Sequence, residues 1–452
     1  MDLPTAEAFL EKADYQYVRF EQTDLHGLSR SKTVPVPHFR SFAQDGLNFF
    51  GGLLGLDLQA GVAPGTGYMD ERRFADQLIR PDLGTLESVP WVERTARVIC
   101  EPCWYDGQPA AAGPRYLLRQ MISRLHTMGF GLRSGFEYEF YLVERDSRAP
   151  VFQGIEIFWT LRNNFDQPFM DDLLDNLNAA GIDIITSNAE YGPGQMEINF
   201  SPTEGHRAAD RAFTFKNAVK EMAQQSGYLA SFMTRPYADQ SSNGGHFHHA
   251  LIDHTSGQNA FYDASAADGL SDLARHWVGG QIAHAPAVAA LVAPTVNCAK
   301  RFKLYSFAPM NATWGYEDRT AAIRIKGGRE EATRVENRIP CAAANPYLVA
   351  AAVLAAGIDG LANRIEPPPP TQTIAYADES ATKLPITLDQ SLDALEQDTA
   401  LQENFGNEFI KLFLAVKRFE VEKAREALPE YDSADWPNLV SDWERQNLFE
   451  YL

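Results

Sequence analysis

The sequence predicts an α+β protein: a small β-rich unit comes first, and then a larger segment in which short strands alternate with helices. Three observations carry that reading. Two β-rich runs flank Asp24-Leu25-His26-Gly27, and Gly113-Pro114 opens an amphipathic helix. Further on, several short segments place polar residues at every second position, which is the strand period.

Residues 17–23 and 28–34 read as a hairpin with its turn at Gly27. Strand-like material continues to residues 98–101, with Val98-Ile99-Cys100 as a strand end. Residues 1–108 therefore form the N-terminal domain and residues 109–452 the larger one. After Gly113-Pro114, Leu117, Leu118, Met121, Ile122 and Leu125 make an apolar helix face, and Gly129 ends it. Helices are also expected over 213–225, 345–357 and 408–427. Between the last two, residues 366–384 hold the run Pro367 to Pro370. Proline cannot continue a helix, so this stretch reads as a surface excursion within the domain. The chain shows no internal repeat on the order of 20–50 residues.

Composition narrows the function classes. With 45% hydrophobic and 11% aromatic residues in 452, the chain can bury a sizeable core and is not disordered. Lys+Arg at 40 against Asp+Glu at 60 leaves a net charge of −20. Such a surface repels phosphate backbones, which argues against nucleic acid and anionic membrane as partners. The acidic N-terminus lacks the basic region and apolar run of a secretory signal. The Ala-rich stretch 347–358 reads as too short to span a bilayer and as a buried helix. Cys100 and Cys103 form a C-x-x-C without a second pair at ligand spacing; with Cys298 and Cys341 they read as structural thiols. A cytoplasmic protein is the expectation.

The chemistry sits in the alternating strands. Glu137 and Glu139 share one face of F-E-Y-E-F; Gln195, Glu197 and Asn199 share one face of the next, with Glu190 just upstream. His246-Phe247-His248 follows Asn243-Gly244-Gly245, and Arg334-Val335-Glu336-Asn337-Arg338 alternates cation, anion, cation. Any one such strand is ordinarily a solvated face or an ion-pair ladder. Several together, beside apolar segments, point to a shared site. Clustered carboxylates repel unless a cation neutralises them, and oxygen and imidazole donors without thiolate suit Mg²⁺ or Mn²⁺. Interleaved arginines suit phosphate and carboxylate ligands. The pattern fits metal-assisted phosphoryl transfer.

These residues, in this order, resemble the glutamine synthetase family. The resemblance runs through E-Y-E at 137–139, E-Y-G-P-G-Q-M-E at 190–197, N-G-G-H-F-H at 243–248, R-V-E-N-R at 334–338 and A-A-A-N-P-Y-L at 342–348. Pro90-Trp91 and Gly113-Pro114-Arg115 belong to it too, and the opening V-R-F-E-Q-T-D-L-H-G-L-S-R-S-K-T looks like the lengsin-type branch. The resemblance implies a β-grasp N-terminal domain and a catalytic domain with a curved antiparallel sheet flanked by helices. It also implies a homo-oligomer of stacked rings, a dodecamer favoured, with active sites shared between neighbours. Two to three divalent ions per site, ATP and L-glutamate are the implied ligands. Carried over residue by residue, Glu139, Glu190 and Glu197 match one metal site, and Glu137, His246 and Glu336 the other. Arg301 matches the residue that holds the glutamate α-carboxylate. Arg319 and Arg338 match those around the transferred phosphate, and Arg324, Arg334 and His248 match nucleotide-phosphate contacts.

Departures from the family pattern shape the substrate expectation. Phe50 stands where ammonia-using members carry an acid supplied by the neighbouring subunit. Phe307, six residues after Arg301, stands in place of a flap glutamate, and Ser241-Ser242 replace an Asn-Gly pair that helps bind glutamate. Phenylalanine offers neither negative charge nor a base, so an ammonium cradle becomes an apolar amine pocket. Arylamines are already neutral at pH 7, and their rings pack on phenylalanine. The expectation is an ATP-dependent ligase joining the glutamate γ-carboxylate to an apolar amine, aniline-like in its sharpest form, via γ-glutamyl phosphate. Rival readings are a ligase for alkylamines, polyamines or ethanolamine, with Asp57 or Glu317 supplying charge; plain glutamine synthesis; and a non-catalytic lengsin-type structural or assembly protein. Asp57 or a metal-site carboxylate is the expected base.

Overall fold

The computed structural model describes every residue of the chain except 155, 156, 328 and 331. Its first sheet holds β1 (Tyr17–Thr23), β2 (Ser29–Pro35), β3 (Leu47–Phe50), β4 (Asp76–Pro81), β5 (Glu87–Ser88) and β6 (Thr95–Cys103). The order is β2-β1-β6-β4-β3, with β5 on β6; β1 and β6 run parallel at the centre. Alternating buried residues such as Val18, Phe20, Val98 and Cys100 close a separate small core under this sheet. The hairpin is thus as expected, one residue later on its second strand. The strand expected to end at Cys100 continues to Cys103, with Pro102 inside it, because β4 pairs with its far half.

The second sheet holds β7 (Phe130–Glu144), β8 (Ile184–Ala189), β9 (Gln195–Phe200), β10 (Thr203–Glu204), β11 (Tyr228–Ser231), β12 (Gly245–Asp253), β13 (Trp314–Tyr316), β14 (Ile323–Lys326) and β15 (Arg334–Asn337). The order β13-β14-β15-β12-β7-β9-β8 is antiparallel throughout except for β13–β14, and β10 and β11 extend β7. One face is aromatic: Phe136 stacks on Tyr138 at 5.6 Å, and Tyr138 on Phe215 of the helix Arg207–Gln225 at 5.8 Å. That helix begins six residues before the expected start, since Ala208, Ala209 and Ala212 continue its buried face. The polar face is left for chemistry.

The helix Pro114–Thr127 buries the five apolar residues its periodicity marks, and Gly129 follows it at φ 90. The Ala-rich helix runs Pro346–Asn363, past the glycines expected to close it. It is long and apolar enough by length and composition to cross a membrane, which corrects the reading of too short a stretch; 78% of it lies buried inside the protein. The glycines serve contact instead. A Cβ on Gly280 would stand 2.1 Å from the Ala356 carbonyl, and one on Gly360 2.3 Å from that of His276, so the two helix backbones touch. Helices Gln167–Ala179, Asp272–Ala283, Ala285–Val292, Leu388–Gln397 and Thr399–Phe405 are additions to the expected set. The four thiols are free and buried.

The sheets are pinned together at the first turn. Asn345 caps its helix through Tyr347 N–H and donates to Thr23 Oγ1 at 3.1 Å and the Asp24 carbonyl at 2.9 Å. Gly27, at φ 86, lies so close to Asn345 that a Cβ would meet its Cα at 3.0 Å. Behind it, Arg115 joins Asp82 at 2.8 Å and Asp210 at 2.8 Å.

Candidate active site

Strands β15, β12, β7 and β9 are neighbours, so their alternating polar residues converge on one surface. Register sets the pairs: Glu139 faces Glu197, Glu137 faces His246, and Glu336 faces His248 and Arg324. His246 Nδ1 lies 2.9 Å from Glu137 and 3.7 Å from Glu336, and His248 Nε2 lies 3.4 Å from Glu137. Arg301, always a donor, reaches His246 Nε2 at 3.1 Å, which leaves Nδ1 to carry the proton shared with Glu137. Gly244 makes room for this: a Cβ there would stand 2.8 Å from His246 and 2.9 Å from Arg301.

The site is acidic on one side and basic on the other. Glu190 accepts from Asn188 at 3.1 Å, Glu197 from Asn199 at 3.0 Å, and Glu139 from Gly244 N–H at 2.8 Å. Burial and the charge of Glu139 push Glu190 up to about 8. Burial, with Glu137, Glu139 and Glu190, pushes Glu197 up to about 10. Burial opposes the ionisation of Glu137 as well, but its bonds to His246 and His248 prevail and hold it well below the usual carboxylate range. Facing them, Arg338 binds Glu336, and Arg324 reaches Glu336 at 3.1 Å and Glu317 at 2.8 Å. Arg324 Nε and Arg338 Nε are buried without partners among the described residues, donors suited to an anion.

This donor set fits divalent ions: hard oxygens and imidazole, mutually repelling, at the floor of a cleft. Glu137, His248 and Glu336 bring ligand atoms within 4.8 Å of one another. That triad uses His248 where the family resemblance assigns His246. Both imidazoles reach the Glu137 carboxylate, and His246 is the one already held by Arg301. A cavity of about 510 Å³ opens beside this cluster, lined by Arg133, Glu137, Ile185, Phe200, His248 and Arg334. Arg334 Nε stands 3.4 Å from His248 Nδ1.

Phe307 lies over the acidic side. It stacks on Tyr191 with centroids 5.7 Å apart and planes 27° apart, and Tyr191 directly follows Glu190. The loop carrying Phe307 holds left-handed backbone at Tyr305 (φ 58) and Phe307 (φ 55), a conformation non-glycine residues adopt only when tied down. Ser306 Oγ donates to the Arg301 carbonyl at 3.0 Å, and Arg338 donates to the Phe307 carbonyl at 3.0 Å.

Other expected site residues sit less centrally. Ser241 accepts through its carbonyl from Tyr141 at 2.7 Å, and Ser242 through its carbonyl from Gln195 at 3.3 Å. Arg319 is exposed, and the described residues give it no ion pair or hydrogen bond. Phe50 ends edge strand β3, opposite Asp76, in the N-terminal sheet and not in the sheet that carries the carboxylate cluster. Asp57 is not available as a base: it is buried, pairs with Lys423 at 2.5 Å and accepts from Gly61 N–H at 2.6 Å. Glu317 is already bound to Arg324 and Lys326. Tyr191 and Gln195 went without a role in the sequence reading. Gln195 joins Glu139 at 3.3 Å to Asn243 at 2.9 Å. Both lie inside E-Y-G-P-G-Q-M-E, so spacing from Glu190 and Glu197 was the available signal.

Sheet, carboxylate cluster and arginine wall together form a site suited to divalent ions and an anionic ligand. A profile of the glutamine synthetase catalytic domain matches residues 111–435; the chain belongs to the glutamine synthetase family and is a ligase of its carbon–nitrogen bond-forming kind. It is 37% identical to human lengsin over 428 residues, covering 91% of this chain and 81% of lengsin. It is 32% identical to the glutamate–isopropylamine ligase of a Pseudomonas species, covering 96% and 97% of the two chains. The solved structure "GmaS/ADP complex-Conformation 1" superposes with a TM-score of 0.85 at 28% identity, covering 98% of each chain.

Proposed function

We propose that the chain is an ATP-dependent γ-glutamyl ligase whose amine substrate is apolar and, in the sharpest form of the reading, aromatic. The observation that carries this is Phe307 stacked on Tyr191 beside Glu190, an apolar wall where an ammonium site needs fixed negative charge. In this reading Glu139, Glu190 and Glu197 hold one Mg²⁺ or Mn²⁺, and Glu137, His246 and Glu336 another. The bound ions supply charge neutralisation for phosphoryl transfer. ATP lies in the 510 Å³ cavity, with His248, Arg324 and Arg334 toward its phosphates. Arg301 holds the α-carboxylate of L-glutamate, with Ser241 and Ser242 nearby. A γ-carboxylate oxygen attacks the γ-phosphorus, ADP leaves, and Arg338 and Arg319 offset the charge of the transferred group. The amine nitrogen then bonds the acyl carbon, phosphate departs, and the nitrogen gives up its proton to a site carboxylate.

Phe50 of an adjacent subunit completes the amine wall in this proposal, which takes the assembly to be a stacked-ring homo-oligomer with a dodecamer favoured. A cytoplasmic setting agrees with four free thiols. The test is steady-state turnover of aniline, isopropylamine, ethanolamine, putrescine and ammonia with glutamate and ATP. Aniline or isopropylamine in front supports the proposal; ammonia alone being used would sink it. Putrescine or ethanolamine in front would favour the polar-amine rival. No stabilisation by Mn²⁺ and ATP would favour a non-catalytic lengsin-type role.

A further inference from the structure

The Pro-rich excursion between the helices Pro346–Asn363 and Leu388–Gln397 is not only surface. Its middle is sewn to the site. Asn311 donates to the carbonyls of Ala375 and Asp378, both at 3.0 Å, and Thr320 Oγ1 accepts from Ala375 N–H at 2.7 Å. These bonds hold the short turn Ala375–Ala377 on both sides of Tyr376. Ala375 is buried, and the Tyr376 ring meets Tyr305 edge-on at 6.0 Å and 81°. The phenol therefore turns inward, under the loop that carries Phe307.

Its hydroxyl is buried; the Ser306 side chain and the Phe307 backbone approach its oxygen, and no acceptor in hydrogen-bond geometry takes its O–H among the described residues. Arg301 and Arg338 lie within electrostatic reach. Ser306 is already spent on the Arg301 and Lys303 carbonyls, at 3.0 and 2.6 Å. An unspent donor buried within electrostatic reach of two site arginines is costly unless something anionic arrives to accept from it. Burial raises the phenol's pKa, so it stays a protonated donor at working pH.

We infer that Tyr376 is a substrate-binding residue whose phenol donates a hydrogen bond to the carboxylate of the acid substrate gathered between Arg301 and Arg338. The inference rests on the proposed ligase reading and adds a contact from a segment outside the sheet. It also gives the excursion a purpose. The same turn that supports the Phe307 loop recognises the acid, so acid binding and closure of the amine wall share one anchor.

Tyr376→Phe keeps the ring and removes only the donor. Calorimetric titration of L-glutamate into the full chain, with Mg²⁺ and a non-hydrolysable ATP analogue, reads the effect directly. Tyr376→Phe should weaken glutamate binding about 10- to 100-fold. In turnover, KM for glutamate should rise by a similar factor, with KM for ATP and amine and the melting temperature unchanged. If the wild type binds glutamate and the variant binds it equally, Tyr376 is not a ligand and the ligase reading stands. A variant that loses melting temperature, or raises every KM alike, shows a structural role and overturns the inference. If the wild type binds no glutamate, the ligase reading falls and the inference falls with it.

Discussion

Phe307 is where side-chain chemistry meets substrate choice. Its ring has one aromatic neighbour among the described residues, and its backbone is locked by Arg338, so a changed side chain should act on the amine without loosening the loop. Phe307→Glu should lower kcat/KM for aniline or isopropylamine at least about tenfold and raise that for ammonia, read in paired assays. An unchanged amine ranking would remove Phe307 as the determinant. Glu336 is a harder case, being 1% exposed and bound by two arginines. Glu336→Gln should cut turnover at least about 100-fold and abolish the thermal shift produced by Mn²⁺. At this scale the clustering of carboxylates and imidazole was legible, because Glu137, Glu139, Glu197 and His246 declare themselves by period two. The inward turn of Tyr376 and the engagement of Asp57 by Lys423 were not, since each depends on a partner far along the chain.

Among the elements, the contact between helices Asp272–Ala283 and Pro346–Asn363 brings two backbones together with no room for a side chain. Gly280→Ala should destabilise the protein by about 1–3 kcal/mol through overpacking, seen as a lower melting temperature with little change in kcat of the surviving fold. His284, at the junction of Asp272–Ala283 with Ala285–Val292, bonds Asp398 at 2.7 Å and Asp359 at 2.9 Å. Burial disfavours its charge, but the two carboxylates outweigh burial and raise its pKa. A raised folded-state pKa means the stabilisation is fully present below the unfolded value of about 6.5 and is lost as pH climbs through the higher folded value. The melting temperature of the wild type should therefore fall more from pH 6 upward than that of His284→Gln; parallel curves would exclude the staple. Long amphipathic helices such as Pro114–Thr127 were readable from their stripes. Pro346–Asn363 is buried on every side from Pro346 to Ile358, so period gave no boundary, and its glycines read as stops when they are contact points.

For the molecule as a whole, the proposal that Phe50 completes its neighbour's site assigns activity to the assembly. Sedimentation should show one species many times heavier than a chain, and dilution to monomers should abolish amine turnover; an active monomer would contradict the shared site. The two-sheet plan was readable from the period-two segments, whereas a subunit arrangement is not written in a single chain's pattern, which says nothing of symmetry. The Ala-rich helix carries one more consequence. Among the described residues, four of the main helices around it, Pro114–Thr127, Arg207–Gln225, Asp272–Ala283 and Ala285–Val292, precede it in the chain, and Thr399–Phe405 follows. During vectorial synthesis the greasiest segment thus emerges after most of the helices that cover it have been made, so its apolar faces can be covered as soon as those helices pack.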